Sequence, residues 1–260
     1  IVYNGTMIAA WIGAIAIGLS LGLLGSGGSV LTVPVLVYLV GQDEKVAIAG
    51  SLAVVGSIAL VGALPYLARR MIDWRSLGLF GVPGMIGTWL GAYLAAFVSG
   101  ELQLLFFAFV MLLAAGLMLR QQPAVTRVPV QRHAWKVVID GLVVGVLTGF
   151  VGVGGGFLIV PALVLLGGLS MHRAVATSLA IIALKSFAGF WKYLDVLGDQ
   201  GLKLDWGVLA TVTVLGIIGS LAGNRLAVRL PHARLKRGFG AFLIFMGAFI
   251  IWRSLPALTG

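Results

Sequence analysis

The feature that most constrains this chain is a stretch that occurs twice. Residues 25–53 read GSGGSVLTVPVLVYLVGQDEKVAIAGSLA and residues 152–180 read GVGGGFLIVPALVLLGGLSMHRAVATSLA, aligned without a gap at a constant offset of 127. About half of the positions are identical, more than two unrelated apolar segments share through composition, so the chain is an internal duplication. Each copy carries a glycine cluster (Gly25, Gly27, Gly28; Gly152, Gly154, Gly155, Gly156) and then an apolar run broken by Pro34 or Pro161. A glycine stop at Gly41 or Gly168 follows, and after it a long apolar segment opening with Ser51 or Ser178. Later parts correspond too. Asp73-Trp74 matches Asp205-Trp206, and Gly84-x-x-Gly87-Thr88-x-x-Gly91 matches Gly216-x-x-Gly219-Ser220-x-x-Gly223.

What the two copies fold into follows from their polarity. Hydrophobic residues make up 60% of the 260 and charged residues 10%, and the mean hydropathy is +1.09. That leaves too little polar surface to cover a soluble globule, so the chain is read as an all-α integral membrane protein. The net charge of +10 does not point to nucleic acid, because the basic residues cluster in short loops between apolar segments, the ordinary sign of membrane orientation. The chain has no cysteine, which excludes disulfides and thiolate chemistry.

Ten apolar segments result. In the first half they cover residues 6–24, 28–39, 46–68, 74–98 and 102–119; in the second, 137–151, 156–166, 174–194, 206–230 and 239–252. The first has neither a basic lead-in nor a cleavage-like end and is expected to be a span, not a signal peptide. Residues 28–39 and 156–166 are too short to cross about 30 Å of hydrocarbon, so each is expected to be a glycine-initiated re-entrant helix or a buried half-length one. A polar joint with Pro123 and Pro129 divides the chain into a first membrane repeat (1–119), a cytoplasmic linker (120–135) and a second membrane repeat (136–260).

Loop charge sets the orientation of the halves. Arg69, Arg70 and Arg75 lie between the third and fourth segments, whereas the next loop has no basic residue. In the second half the bias reverses: Asp195, Asp199, Lys203 and Asp205 come first, then Arg225, Arg229, His232, Arg234, Lys236 and Arg237. The positive-inside rule therefore predicts two inverted-topology repeats of about five helical segments each, with both termini outside.

Inversion suggests a use for the glycine turns. They would enter from opposite sides, so that two helix beginnings, with unpaired amides and positive dipole ends, meet near the midplane and favour an anion. The expected substrate contacts are Ser26, Gly27, Gly28 and Ser29 in the first turn, Gly154, Gly155 and Gly156 in the second, and Ser51, Thr177 and Ser178 from the segments that follow. Plainer readings stand beside these. Membrane glycines commonly serve close packing, which suits Gly18 and Gly22 with Gly141, Gly145 and Gly149, and serines often bond their own helix. Lys185 is more telling. It lies deep in an apolar segment with no carboxylate, where a charge costs at least about 2.5–3.5 kcal/mol, and its counterpart in the first copy is Ile58. It is assigned to the anion, with carbonyl contacts as the alternative. Asp140 is read as a gate, a proton carrier or a partner of Lys136.

Catalysis has no support. His133, His172 and His232 all fall in loops without ligand spacing, so no metal, cofactor or enzymatic activity is expected. The doubled G-x-G-G-x-x-L-x-V-P-x-L, the A-x-A-x-S-L-A or A-x-A-T-S-L-A after it and the Asp-Trp before the next helix resemble the sulfite exporter TauE/SafE family over nearly all of the chain outside the linker. The resemblance implies a secondary transporter in the cytoplasmic membrane. It would move sulfite, thiosulfate, sulfonates or related anions by alternating access, outward and with proton coupling. By position the family motif falls on Gly25, Gly27, Gly28, Pro34 and Ser51, and on Gly152, Gly154, Gly155, Gly156, Pro161, Thr177 and Ser178. Ser29 departs from it, standing where the second copy has glycine. The expected partners are the small anion, the bilayer and, as an open option, a second copy as a homodimer. An anion channel of the same architecture and a membrane scaffold protein are the alternatives.

Overall fold

The computed structural model describes residues 2–25, 28–119, 133–151, 159, 160, 162, 163, 169–227, 241 and 243–252. Among these the chain is helical throughout, with no strand. The helices are α1 (Val2–Leu24), α2 (Gly28–Leu39), α3 (Glu44–Ala68), α4 (Trp74–Ala95), α5 (Gly100–Leu119), α6 (Ala134–Val151), α7 (Met171–Asp199), α8 (Trp206–Ala227) and α9 (Leu243–Trp252). Five of them, α3, α4, α6, α7 and α8, are long and apolar enough to cross a membrane. With their apolar outer faces, these make the chain a multi-pass membrane protein.

Local chemistry sets the boundaries. Gly41, at φ +80°, ends the short second helix as its glycine predicts, and Asp43 begins α3 by accepting a hydrogen bond from the Lys45 N–H at 2.9 Å. Asp73 and Asp205 occupy the same place at the start of α4 and α8: Asp73 Oδ2 accepts from the Ser76 N–H at 2.8 Å and Asp205 Oδ1 from the Val208 N–H at 3.0 Å. The matched Asp-Trp pairs are thus matched N-caps. Pro34 lies inside α2, where its ring crowds the preceding turn and it has no N–H to give; the following residues, Val35–Leu39, widen into a π turn closed by Val40 N–H to Val35 O at 3.0 Å. A second π turn, Leu77–Gly81, lies just before Pro83 in α4.

Several helix ends differ from expectation by a few residues, the end of α7 by most. Helix α7 runs on to Asp199, five residues beyond the apolar segment, because Asp195 and Asp199 extend a helix end past the hydrocarbon; Lys192 and Asp195 pair across one turn at 3.2 Å.

Close backbone contact holds the helices together. Helix α1 packs on α8 and α4 packs on α6, through glycine on both sides. A Cβ on Gly18 would run into the backbone of Gly216, and one on Gly22 into Ser220 O. At the matching places, a Cβ on Gly145 would meet Gly84 O and one on Gly149 would meet Thr88 O. In lipid no hydrophobic force drives helices together, so such small-residue seams supply van der Waals contact directly. The packing role read for Gly18, Gly22, Gly141, Gly145 and Gly149 is what the structure has.

Helices α3 and α7 form the centre and are the most enclosed of the spanning helices. They run antiparallel. The Gly62 position faces Leu179, and near the other end the Gly189 position faces Leu52, with Gly56 opposite Ser186 between them. Since Leu179 and Gly189 are the repeat counterparts of Leu52 and Gly62, the two contacts exchange under the duplication. Away from this centre Trp11, Ile86, Trp89, Phe109, Val143 and Ile218 point outward, as suits helices whose solvent is lipid.

Candidate functional site

The first glycine turn is built against the second repeat. Gly25 closes α1 with its N–H on Leu21 O at 2.7 Å and takes φ +67°, a left-handed conformation that glycine adopts without strain. It also lies so close to Val175 of α7 that an added Cβ would come within 2.6 Å of that side chain. One turn along α7, Ser178 Oγ donates to Val175 O at 2.8 Å and to Gly25 O at 3.2 Å. Ser178 therefore bonds its own helix, the plainer of the two readings, and also ties the turn of the other repeat to it, which the sequence did not suggest. Its neighbour Thr177 accepts, through Oγ1, the Asp73 N–H at 2.9 Å, which fastens the start of α4 to the same stretch of α7. Both side chains are fully buried.

Gly28 is a close-approach glycine as well, since a Cβ there would strike Ile17 O and Leu21 of α1. Ser29 and Ser51 are buried, and Ser51 Oγ donates to Ile48 O at 2.8 Å within α3. Ser26 and Gly27 of the first turn, and Gly154, Gly155 and Gly156 of the second, lie outside the described residues, as do Pro161 and most of the linker. The structure accordingly brings together Gly25, Thr177 and Ser178, and leaves the meeting of the two turns undescribed.

Lys185 stands at the midpoint of α7, fourteen residues from Met171 and fourteen from Asp199. At about 1.5 Å per residue that is roughly 21 Å from either end, beyond the reach of a lysine stem. Its side chain is fully buried, and Nζ has no hydrogen-bond partner among the described residues. The stem lies along Gly84 of α4, where an added Cβ would be 3.0 Å from Cδ, and the ammonium sits 6.0 Å from the centre of the Phe80 ring. Ile58, its counterpart, packs against Gly216, the counterpart of Gly84. The scaffold thus offers two equivalent positions and fills one with a cation. Ser178 and Lys185 are seven residues apart on α7, about 10.5 Å along the axis and only about 20° apart around it, so they share one face.

Other buried polar atoms were not singled out from the sequence, which places Asn224 at the membrane interface. Ser186 Oγ, Ser220 Oγ, Asn224 Oδ1, both amide atoms of Gln42 and Gln103 Oε1 are buried without a hydrogen-bond partner among the described residues. Gln103 Nε2 donates to Phe150 O at 2.6 Å and to Tyr193 Oη at 3.0 Å, while Tyr193 donates to Phe150 O at 3.1 Å, which locks α5, α6 and α7 together. The signal for Gln103 was available: it is an amide inside an apolar segment. No group of three or more His, Cys, Asp or Glu that could hold a metal occurs among the described residues.

Comparison with known proteins fits this geometry. A model of the sulfite exporter TauE/SafE family matches residues 10–250. A probable membrane transporter protein of Xylella fastidiosa (strain Temecula1) is 33% identical over 250 residues, covering 94% of each chain. The probable membrane transporter protein YunE of Bacillus subtilis is 32% identical over 64% of this chain and 70% of its own. One from Haemophilus influenzae is 26% identical over 92% of this chain and 95% of its own. No solved structure matches.

Proposed function

We propose that this chain, which belongs to the sulfite exporter TauE/SafE family and is a membrane transporter rather than an enzyme, moves a small sulfur-containing or related anion across the cytoplasmic membrane by alternating access. The observation that carries the reading is Lys185, a fully buried cation at the middle of a central spanning helix with no hydrogen-bond partner among the described residues. A charge at that depth is retained where something of opposite sign visits it, and an anion is the simplest visitor. Ser186, next to Lys185 in α7 and buried with its hydroxyl unpartnered among the described residues, adds a donor suited to a sulfite or sulfonate oxygen.

Inverted repeats supply the two-sided access. Support comes from the antiparallel run of α3 against α7, which are repeat counterparts, and from the exchange of partners whereby α1 packs on α8 as α6 packs on α4. Transport is outward and linked to protons, with the substrate or Lys185 as carrier.

The test is flux into proteoliposomes with a panel of sulfite, thiosulfate, sulfonates and short carboxylates, with and without a pH gradient. A saturable flux of one anion class, lost in Lys185→Met, is expected. Equal flux in parent and Lys185→Met would remove the lysine from the site, and no flux of any anion would end the transport reading.

A further inference from the structure

Two of the arginines at the junction of α3 and α4, Arg70 and Arg75, so far only an orientation signal, line a cleft. It has a volume of about 560 Å³ and is walled by Leu67, Arg70, Ile72, Asp73, Trp74, Arg75 and Arg173. Arg70 and Arg75 come from the first repeat and Arg173 from the first turn of α7 in the second, so the cleft exists only because α3 ends where α7 begins. None of the three guanidinium groups is paired with a carboxylate among the described residues. The one acidic side chain present, Asp73, is already engaged as the N-cap of α4.

Arg70 sits where its backbone does not favour it. Helix α3 ends in a Schellman motif, with Met71 N–H on Tyr66 O at 3.0 Å and Arg70 N–H on Leu67 O at 3.0 Å, and Arg70 holds the left-handed position at φ +54°. Glycine is the usual residue there. Helix α7 ends in the same motif, with Leu202 N–H on Leu197 O at 2.9 Å and Gly201 N–H on Gly198 O at 3.2 Å, and it does use glycine, at φ +67°. The first repeat has therefore accepted a strained arginine at a turn whose twin does without one, and the side chain it gains faces the cleft.

We propose that this cleft is an oxyanion-recruiting site on the cytoplasmic face, which captures the anion before it passes to Ser178 and Lys185. The proposal rests on the transport reading for the identity of the anion, and on the positive-inside rule for the side. Its inner wall leads to the buried site, because the Asp73 N–H is bonded to Thr177 and Thr177 adjoins the serine that holds the glycine turn. Guanidinium forks match the paired oxygens of sulfite, thiosulfate or phosphate. A walled cluster of like charge raises the local anion concentration and the rate of encounter by about 10- to 1,000-fold, in a manner that salt suppresses.

The test uses the whole protein with thiosulfate as the probe. Thiosulfate is titrated against the tryptophan fluorescence of the purified transporter, with Trp74→Phe identifying the cleft's share of the signal. Radiolabelled thiosulfate flux is then measured from each face of oriented proteoliposomes. Arg70→Gly with Arg173→Gln is expected to weaken binding at least about 10-fold, to raise KM from the cytoplasmic face alone with kcat retained, and to abolish the parent's salt dependence. Arg70→Gly by itself should keep or raise the thermal midpoint, since glycine suits the turn, while still weakening the anion; a merely structural arginine would give the reverse. Binding lost in these variants while the parent transports nothing would leave the cleft standing and the transport reading fallen. Unchanged binding and KM in the double variant would overturn the proposal. So would a Trp74 signal that answers to phosphatidylglycerol in nanodiscs and not to thiosulfate, which would give the arginines to lipid headgroups.

Discussion

Replacing Lys185 by methionine should make this protein more stable and inactive at once. Burying a lysine near the middle of a membrane costs about 2.5–3.5 kcal/mol. The Phe80 ring, 6.0 Å from Nζ, returns some of that as a cation–π contact, of the order of 0.5–2 kcal/mol. With no hydrogen bond to the ammonium among the described residues, the balance is a net burden of about 0.5–3 kcal/mol. Methionine is unbranched and near lysine in length, so it can keep the contact with Gly84 and leave little cavity. For a chain of this size each kcal/mol moves the thermal midpoint by about 2–4 °C, so Lys185→Met should melt roughly 1–12 °C higher. Thermal unfolding of the detergent-purified protein, followed by tryptophan fluorescence and run beside anion flux in proteoliposomes, reads both effects. Ile58→Met, an apolar exchange at the twin position, serves as the control and should not raise the midpoint, its stability staying within about 1.5 kcal/mol of the parent. A midpoint that drops by several degrees in Lys185→Met would refute the reasoning, since it would mean the ammonium holds the fold together.

Three further outcomes follow from the packing. Gly145→Leu and Gly18→Leu force side chains into the backbones of α4 and α8 respectively and should destabilise to a similar degree, by about 1–3 kcal/mol or more, seen as loss of monodisperse protein after extraction; Gly116→Ala, with nothing within 4 Å of the new methyl, should extract like the parent. Thr177→Val leaves the Asp73 N–H without its acceptor and should lower stability by about 1–3 kcal/mol, whereas Thr177→Ser keeps the oxygen and should be close to neutral in the same thermal assay. Lys45 donates through Nζ to Ala95 O and to Val98 O at the end of α4, so Lys45→Met should fray that end by about 1–3 kcal/mol and speed amide hydrogen exchange at residues 95–98.

How much of this was legible depends on the kind of information each feature needs. The duplication, the helical membrane class and the caps at Asp73 and Asp205 are local patterns and could be read directly. So could the packing role of Gly18, Gly22, Gly145 and Gly149. Their partners could not, because a row of glycines says that a backbone comes near and is silent on whose. The length of α7 was underestimated because Asp195 and Asp199 resemble loop residues, although a helix that leaves the hydrocarbon can carry them. The tie between Ser178 and Gly25, and the cleft shared by Arg70 and Arg173, join residues more than a hundred positions apart. Only the fold brings those pairs together.

The departures from the repeat fall where a transporter has need of them. The seams that set the fold, Gly18 on Gly216 and Gly145 on Gly84, match under the duplication. In the alternating-access reading proposed above, such a scaffold would have two conformations of similar energy, between which a small differential affinity would move it. Substitutions in the seams would tilt this balance, and there the copies stay alike. Lys185 against Ile58 and Arg70 against Gly201 are differences of charge that leave the seams intact. One places a cation at the centre of the membrane, and the other places a cation at the end of the same central helix pair. A duplicated framework whose seams stay alike while these charges differ would, on the proposed reading, separate the machinery of movement from the selection of what moves. On the proposed reading the substrate is an anion, and Lys185, Arg70 and Arg173 are the residues that would select for that sign.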